Sequence, residues 1–386
     1  MPSAKPAPGF LGACVSFALF GLVQGNWNAR IPALKAELGV SLDLLGLLLQ
    51  AMGLGAITAM PLAGRLLRVC SARILHVVAS VGSWVSLTAA TRVTAPWEFA
   101  VAFAMVGAFW GTWDITLNVH GSLVEARSGR VIMPALHGAW GAGLLLGALC
   151  GSAFARLGAS LAFHFSVLLP FVTLLDIAIG RSWDDPLRLS QRTSSRRDPR
   201  LVLVTVVIGL TMACATFAEG TASDWLALHV VQDLGGSPAE GGLAFAAFAA
   251  LMMGGRLVGH VAIERLGRVR AVRISGSLVT LGVVITALAP GGLATAAAGA
   301  CCWGLGLAIV FPAGITATRE RAGDAAPGMI ALASTLGYGG FLVAPPVVGI
   351  LGSRIGLTHA FLAVAVLGLF IASLAPALRV KTSQSV

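Results

Sequence analysis

The stretch FGLVQGNW (residues 20–27) is answered later in the chain by TFAEGTAS (residues 216–223). Gln24-Gly25 stands 39 residues ahead of Gly64, and Glu219-Gly220 stands 39 residues ahead of Gly259, so both glycines recur at an offset of 195, about half of the 386 residues. The chain around these landmarks is almost continuously apolar. An internal repeat in such surroundings predicts two homologous bundles of membrane-spanning helices, the arrangement in which repeats build a central solute pathway.

Composition points the same way. The chain is 57% hydrophobic and 11% charged, with a mean hydropathy of +0.87, whereas about a quarter of an ordinary soluble domain is charged. Too little polar surface remains for a water-soluble protein. A spanning helix needs about 20 apolar residues, and such stretches occur near 10–26, 44–63, 74–91, 97–119, 132–155, 159–180, 201–220, 240–258, 272–289, 292–315, 326–350 and 357–377. The expected fold is an all-α integral membrane protein, with twelve transmembrane helices in two pseudo-symmetric six-helix bundles. Residues 1–180 would form the N-terminal bundle, 181–200 (RSWDDPLRLSQRTSSRRDPR) a cytoplasmic linker, and 201–386 the C-terminal bundle. The first apolar run carries no small-residue cleavage site and reads as a first span rather than a removed signal peptide. Five of the six cysteines fall in apolar spans and Cys70 in a basic loop, which is no extracellular disulfide framework.

The formal charge of +10 is a topology signal and calls for no nucleic-acid partner. With the N-terminus inside, only Arg30, Lys35, Arg92, Arg156 and Arg354 stay outside, which leaves 21 of 26 basic residues on the cytoplasmic side, Arg256 among them. By the positive-inside rule both termini are cytoplasmic.

Ionisable groups inside a span cost about 2.5–3.5 kcal/mol each, so they mark candidate sites. Asp114 in WGTWDITLNVHG shares a helical face with Trp110, Leu117 and Asn118, at i−4, i+3 and i+4. Glu219 is expected near the outer end of span 7, and its counterpart in the first half is Gln24, with Asn28 one turn further. Asp176, close to Arg181, reads as an interfacial anchor. His137, Trp140 and Gly141 form an i, i+3, i+4 group in span 5, and a histidine there can carry protons or donate to a substrate. Trp27, Trp110, Trp113, Trp225, Trp303 and Tyr338 could stack on a solute or belong to a membrane-interface belt, with Trp110 and Trp303 the deeper pair. Spans 1, 4, 7 and 10 thus carry the polar groups expected to line the pathway, whereas spans 3, 9 and 12 read as nearly free of strongly polar side chains. Neither an H-E-x-x-H pair nor a G-x-S-x-G elbow is present, which speaks against an intramembrane enzyme built on Asp114 with His120 or His137.

Loops after spans 2 and 8 supply a family signature. GRLLRVCSAR (64–73) keeps Gly64, Leu66 and Arg73, and GHVAIERLGR (259–268) offers Gly259, Arg265, Gly267 and Arg268, with Glu264 one residue out of register. Together with twelve spans and a basic midpoint loop, this resembles the major facilitator superfamily and its G-x-L-a-D-R-x-G-R-R loop motif. Arg68 and Ser71 depart from that motif where its acid and second glycine would stand. Within the superfamily the chain is similar to small bacterial permeases related to fucose-type sugar/proton symporters, which carry an acidic residue in span 4.

The resemblance implies a bacterial-type cell-membrane permease that moves a small-molecule substrate by alternating access. Asp114 and Glu219 would couple to protons; Gln24, Asn28, Asn118 and His137 would hydrogen-bond a polar neutral solute between Trp110 and Trp303. A lipid bilayer is the expected surrounding, a monomer the expected working unit, and no cofactor or metal is expected. The alternative is an exporter of drugs or secondary metabolites by proton antiport. The absence of proline from 138–151 counts against the antiporter motif of span 5.

Overall fold

A computed structural model describes residues 9–129, 132–181, 183, 198–289 and 292–379; most of the 181–200 linker lies outside them. The described residues are helical and contain twelve helices long and apolar enough to cross a membrane. Spans 1 to 6 are Phe10–Ala29, Leu42–Leu66, Ala72–Ala90, Pro96–Ser128, Met133–Arg156 and Leu161–Gly180. Spans 7 to 12 are Pro199–Gln232, Pro238–Leu266, Arg268–Leu288, Leu293–Ala322, Gly328–Ile355 and Leu357–Leu378.

Several spans run longer than their apolar cores, for identifiable reasons. Span 7 starts on Pro199, whose missing N–H costs nothing at a first turn, behind Asp198, whose side chain accepts from the Arg200 N–H. With no proline or glycine pair to stop it, that helix continues to Gln232, twelve residues beyond the expected end. Span 10 is interrupted between Leu307 and Val310, where Pro312 removes an N–H and its ring crowds the carbonyl four residues back. Spans 8 and 9 are joined by Gly267 alone, at φ +75°, a conformation that a side chain resists.

Two compact units divide the described residues, one within Met1–Ser190 and Ser237–Ala246, the other within Gln191–Gly236 and Ala247–Val386. Inside the first unit span 1 packs on span 5, span 2 on span 4, and span 3 on spans 4 and 6. Inside the second, span 7 packs on span 11, and span 9 on spans 10 and 12, so the partnerships of spans 1 and 3 repeat six spans later. Spans 1 and 5 touch backbone to backbone. A Cβ built on Gly25 would lie 2.0 Å from the Leu144 carbonyl oxygen, and one on Gly147 would lie 2.2 Å from that of Leu22. Gly21 and Gly143 complete a mutual small-residue seam.

Candidate functional site

In the first unit the candidates gather on spans 1, 4 and 5. At about 100° per residue, Trp110 and Leu117 lie within about 20° of each other, while Asp114 and Asn118 are rotated about 40° and 80° from Trp110. Trp110 and Leu117 are accordingly buried, and Asp114 and Asn118 only half-buried. The Trp110 Nε1–H donates to Ser83 Oγ at 2.8 Å, and its ring meets Phe20 edge-on. Asn118 Nδ2 donates to Asp114 Oδ1 at 3.1 Å and to the Asp114 carbonyl at 2.8 Å; Asp114 has no other side-chain partner among the described residues. Trp140 Nε1–H donates to Gln24 Oε1 at 2.7 Å across the span 1–span 5 seam. Asn28 is half-buried, and His137 is exposed with its ring edge-on to Phe17.

In the second unit Glu219 does not sit near a helix end. The full length of span 7 places it twenty residues past Pro199 and thirteen before Gln232. Its partner Arg256, counted above on the cytoplasmic side although it falls in the expected stretch 240–258, lies well inside span 8, ten residues before its end at Leu266. Arg256 Nη2 lies 3.3 and 3.4 Å from Glu219 Oε1 and Oε2. The same helix extension brings Asp224 inside span 7, half-buried and without a side-chain partner among the described residues. Sequence reading missed it because the apolar run breaks at Glu219, two residues after which a polar TASD segment (221–224) resembles a loop.

Other expectations are corrected by burial. Asp176 is fully enclosed rather than interfacial, with Oδ2 2.9 Å from His76 Nε2, a close contact bent away from a straight hydrogen bond. His76 also meets Thr116 Oγ1 at 3.2 Å and packs on Trp183. Span 3 is therefore not free of polar groups: His76, Ser80, Ser83 and Ser86 are all buried on it. Trp27, Trp113, Trp225 and Trp303 are at most 2% exposed, so none forms an interface belt. Trp303 in particular is boxed by Phe248 and Phe361, away from any open surface of its unit. Tyr338 is 56% exposed.

The loop motifs serve the second unit unevenly. Arg268 meets Glu320 through two parallel bonds of 2.9 Å, Nη1 to Oε2 and Nη2 to Oε1, whereas Arg265 is exposed. Gly259 packs under Ile309 of span 10, Gly64 meets open space, and Arg73 reaches the Arg181 carbonyl at 3.4 Å.

Membrane charges on a scaffold of repeated helices define a polytopic carrier of solutes, and comparison with known proteins makes the class specific. The sequence profile of the Major Facilitator Superfamily matches residues 10–337 and 208–385, and the chain belongs to that superfamily. An uncharacterized MFS-type transporter of Yersinia pestis is 30% identical over 371 residues, covering 94% of each chain. Among solved structures, the nucleoside transporter NupG superposes with a TM-score of 0.73 at 14% identity, over 96% of this chain and 98% of that one. The E. coli fucose:proton symporter FucP superposes at 0.64 and 15% identity, over 96% and 98%. The protein is thus a multi-pass membrane transporter and not an enzyme.

Proposed function

We propose that the chain is a secondary active transporter that couples movement of a small polar solute to protons by alternating access, with both termini in the cytoplasm. Asp114 carries the coupling proton. The observation that supports this is its setting: a carboxylate in the interior of a membrane helix, half-open, with Asn118 as its one side-chain partner among the described residues. A structural carboxylate would be enclosed and fully bonded, because an unpaired charge in hydrocarbon is costly. Gln24, Asn28, Asn118 and His137 supply hydrogen bonds to the solute, and Trp110 is buried on the span that carries Asp114 and Asn118, while Trp303 packs within its own unit. The likeness to FucP agrees with proton symport, although at 15% identity it speaks for the fold alone.

The test is uptake by proteoliposomes under an imposed inward proton gradient. Accumulation should follow the gradient in the wild type and lose that dependence in Asp114→Asn while facilitated exchange persists. Gradient-driven uptake at full rate in Asp114→Asn contradicts the assignment.

A further inference from the structure

Span 3 begins at Ala72 and span 6 ends at Gly180, and an arginine stands next to each of these helix ends. Arg73 and Arg181 flank the mouth of a groove of about 220 Å³ between the two helices, whose walls are Ile74, Val77, Val78 and Ile177. No acid lines it among the described residues. Asp176, five residues before Arg181, is directed at His76 instead and is fully enclosed. Both arginines are exposed and make no ion pair among the described residues; Arg73 Nη1 reaches only the Arg181 carbonyl, at 3.4 Å. The turn after span 6 is pinned by Trp183, whose N–H donates to the Gly180 carbonyl at 3.1 Å. Its ring packs on those of His76 and His120, with 4.0 Å between centroids in each case. Two positive charges are thereby rooted over one apolar groove. Beyond the arginines the groove opens onto aliphatic side chains: Ile74, Val78 and Val85 lie within about 40° of one another on span 3 and are all exposed, as is Leu174, one turn before Ile177 on span 6.

We infer that this groove binds one anionic phospholipid, with its phosphate between Arg73 and Arg181 and an acyl chain along Ile74, Val78 and Ile177. The cytoplasmic leaflet is assigned from the position of the termini proposed above; the binding itself does not depend on it. Both halves of such a molecule are matched. Guanidinium groups present planar forks of N–H donors that suit phosphate oxygens, and two of them at one mouth repel each other until an anion lies between them. The four aliphatic walls suit hydrocarbon and offer nothing to a soluble anion. A lipid without net charge would fill the walls and leave the two cations unbalanced. Basic pockets between spanning helices at the cytoplasmic surface are the setting in which anionic head groups dock. Spans 3 and 6 pack on each other within the first unit, so the bound lipid ties the entry of one to the exit of the other, outside the enclosed His76–Asp176 pair. Binding to the folded state alone raises its apparent stability.

The experiment is native mass spectrometry, with thermal stabilisation in parallel, on the purified full-length protein in a non-ionic detergent. It is titrated with phosphatidylglycerol, with phosphatidylcholine of the same acyl chains, and with glycerol 3-phosphate as the free headgroup. Each arginine beside an anionic lipid is worth about fivefold in affinity. The wild type should therefore prefer phosphatidylglycerol by about 25-fold, Arg73→Gln and Arg181→Gln should each lose about fivefold, and the double variant should lose the preference. Arg65→Gln, an exposed arginine outside the groove, should keep it. Val78→Trp gives a second check that leaves both charges in place: it fills the groove and should weaken phosphatidylglycerol as well. Equal affinity for the two lipids, a preference that survives the double variant, or a loss in Arg65→Gln as large as in Arg73→Gln overturns the inference. So does unaltered binding to Val78→Trp, or stabilisation by glycerol 3-phosphate as great as by phosphatidylglycerol, which would make the site one for soluble anions. Proton coupling through Asp114 stands or falls separately, in the uptake assay described above.

Discussion

Replacing Gly25 by alanine isolates what the repeat conserves from what it does not. Gly25 and Gly220 are equivalent by the offset of 195, yet a Cβ on Gly25 would meet the Leu144 carbonyl oxygen at 2.0 Å and the Ala148 nitrogen at 2.8 Å. The neighbours of Gly220 are a ring carbon of Phe341 at 3.2 Å and the Ala344 methyl at 3.3 Å. Backbone cannot rotate aside, so spans 1 and 5 must separate by 1.0 Å, from 2.0 to the 3.0 Å below which Cβ contacts essentially do not occur. Overpacking costs about 1–3 kcal/mol and the upper end applies here; alanine regains about 1 kcal/mol of helix propensity. The net expectation for Gly25→Ala is a loss of about 2 kcal/mol. For Gly220→Ala the ring edge can yield a few tenths of an ångström, and stability should stay within about 0.5 kcal/mol of wild type. The widened seam also stretches the 2.7 Å bond from Trp140 to Gln24, so transport should fall with Gly25→Ala before expression does. Equilibrium unfolding of the purified variants decides it. Equal stability of Gly25→Ala and wild type, or greater damage from Gly220→Ala, would refute the packing argument.

Two further expectations concern buried charge. Asp176→Ala leaves His76 enclosed without its acid and should destabilise the first unit by about 3 kcal/mol, while Arg181→Ala should stay within about 0.5 kcal/mol; chemical unfolding of each variant distinguishes the enclosed pair from an interfacial anchor. Just past span 7, burial pushes the Asp233 carboxyl up, but hydrogen bonds from His229 and Thr358 pull it further down, leaving it below its ordinary 3.8. Its contribution is therefore complete above that ordinary value and is lost as pH falls through the lowered one. Thermal melts should show Asp233→Asn destabilised throughout neutral pH, with the gap from wild type closing only in strong acid.

The fold was legible because spanning helices announce themselves by uninterrupted apolar length, and the repeat by paired landmarks such as Gly64 and Gly259. The site was legible where a lone acid interrupted an apolar run, as at Asp114. It was hidden where a helix outlasted its apolar core: the polar turn after Glu219 looked like a loop end, concealing Asp224 and the depth of Glu219. Arg256 was misplaced for the complementary reason, since a basic residue within ten positions of a basic loop looks cytoplasmic until its ion-pair partner is known. Burial of Trp303 and of the His76–Asp176 pair depends on which side chains meet across helices, and helical periodicity on one strand of sequence does not carry that information.

The central claim is that ionisable groups within the membrane helices meet water. After replacement of the six native cysteines, single cysteines at positions 24, 114, 219 and 256 can be challenged in intact membranes with a water-soluble maleimide and a lipid-confined nitroxide quencher. The account predicts maleimide labelling at all four positions with little quenching of attached fluorophores. Positions that resist the maleimide while lipid nitroxides quench them would contradict it.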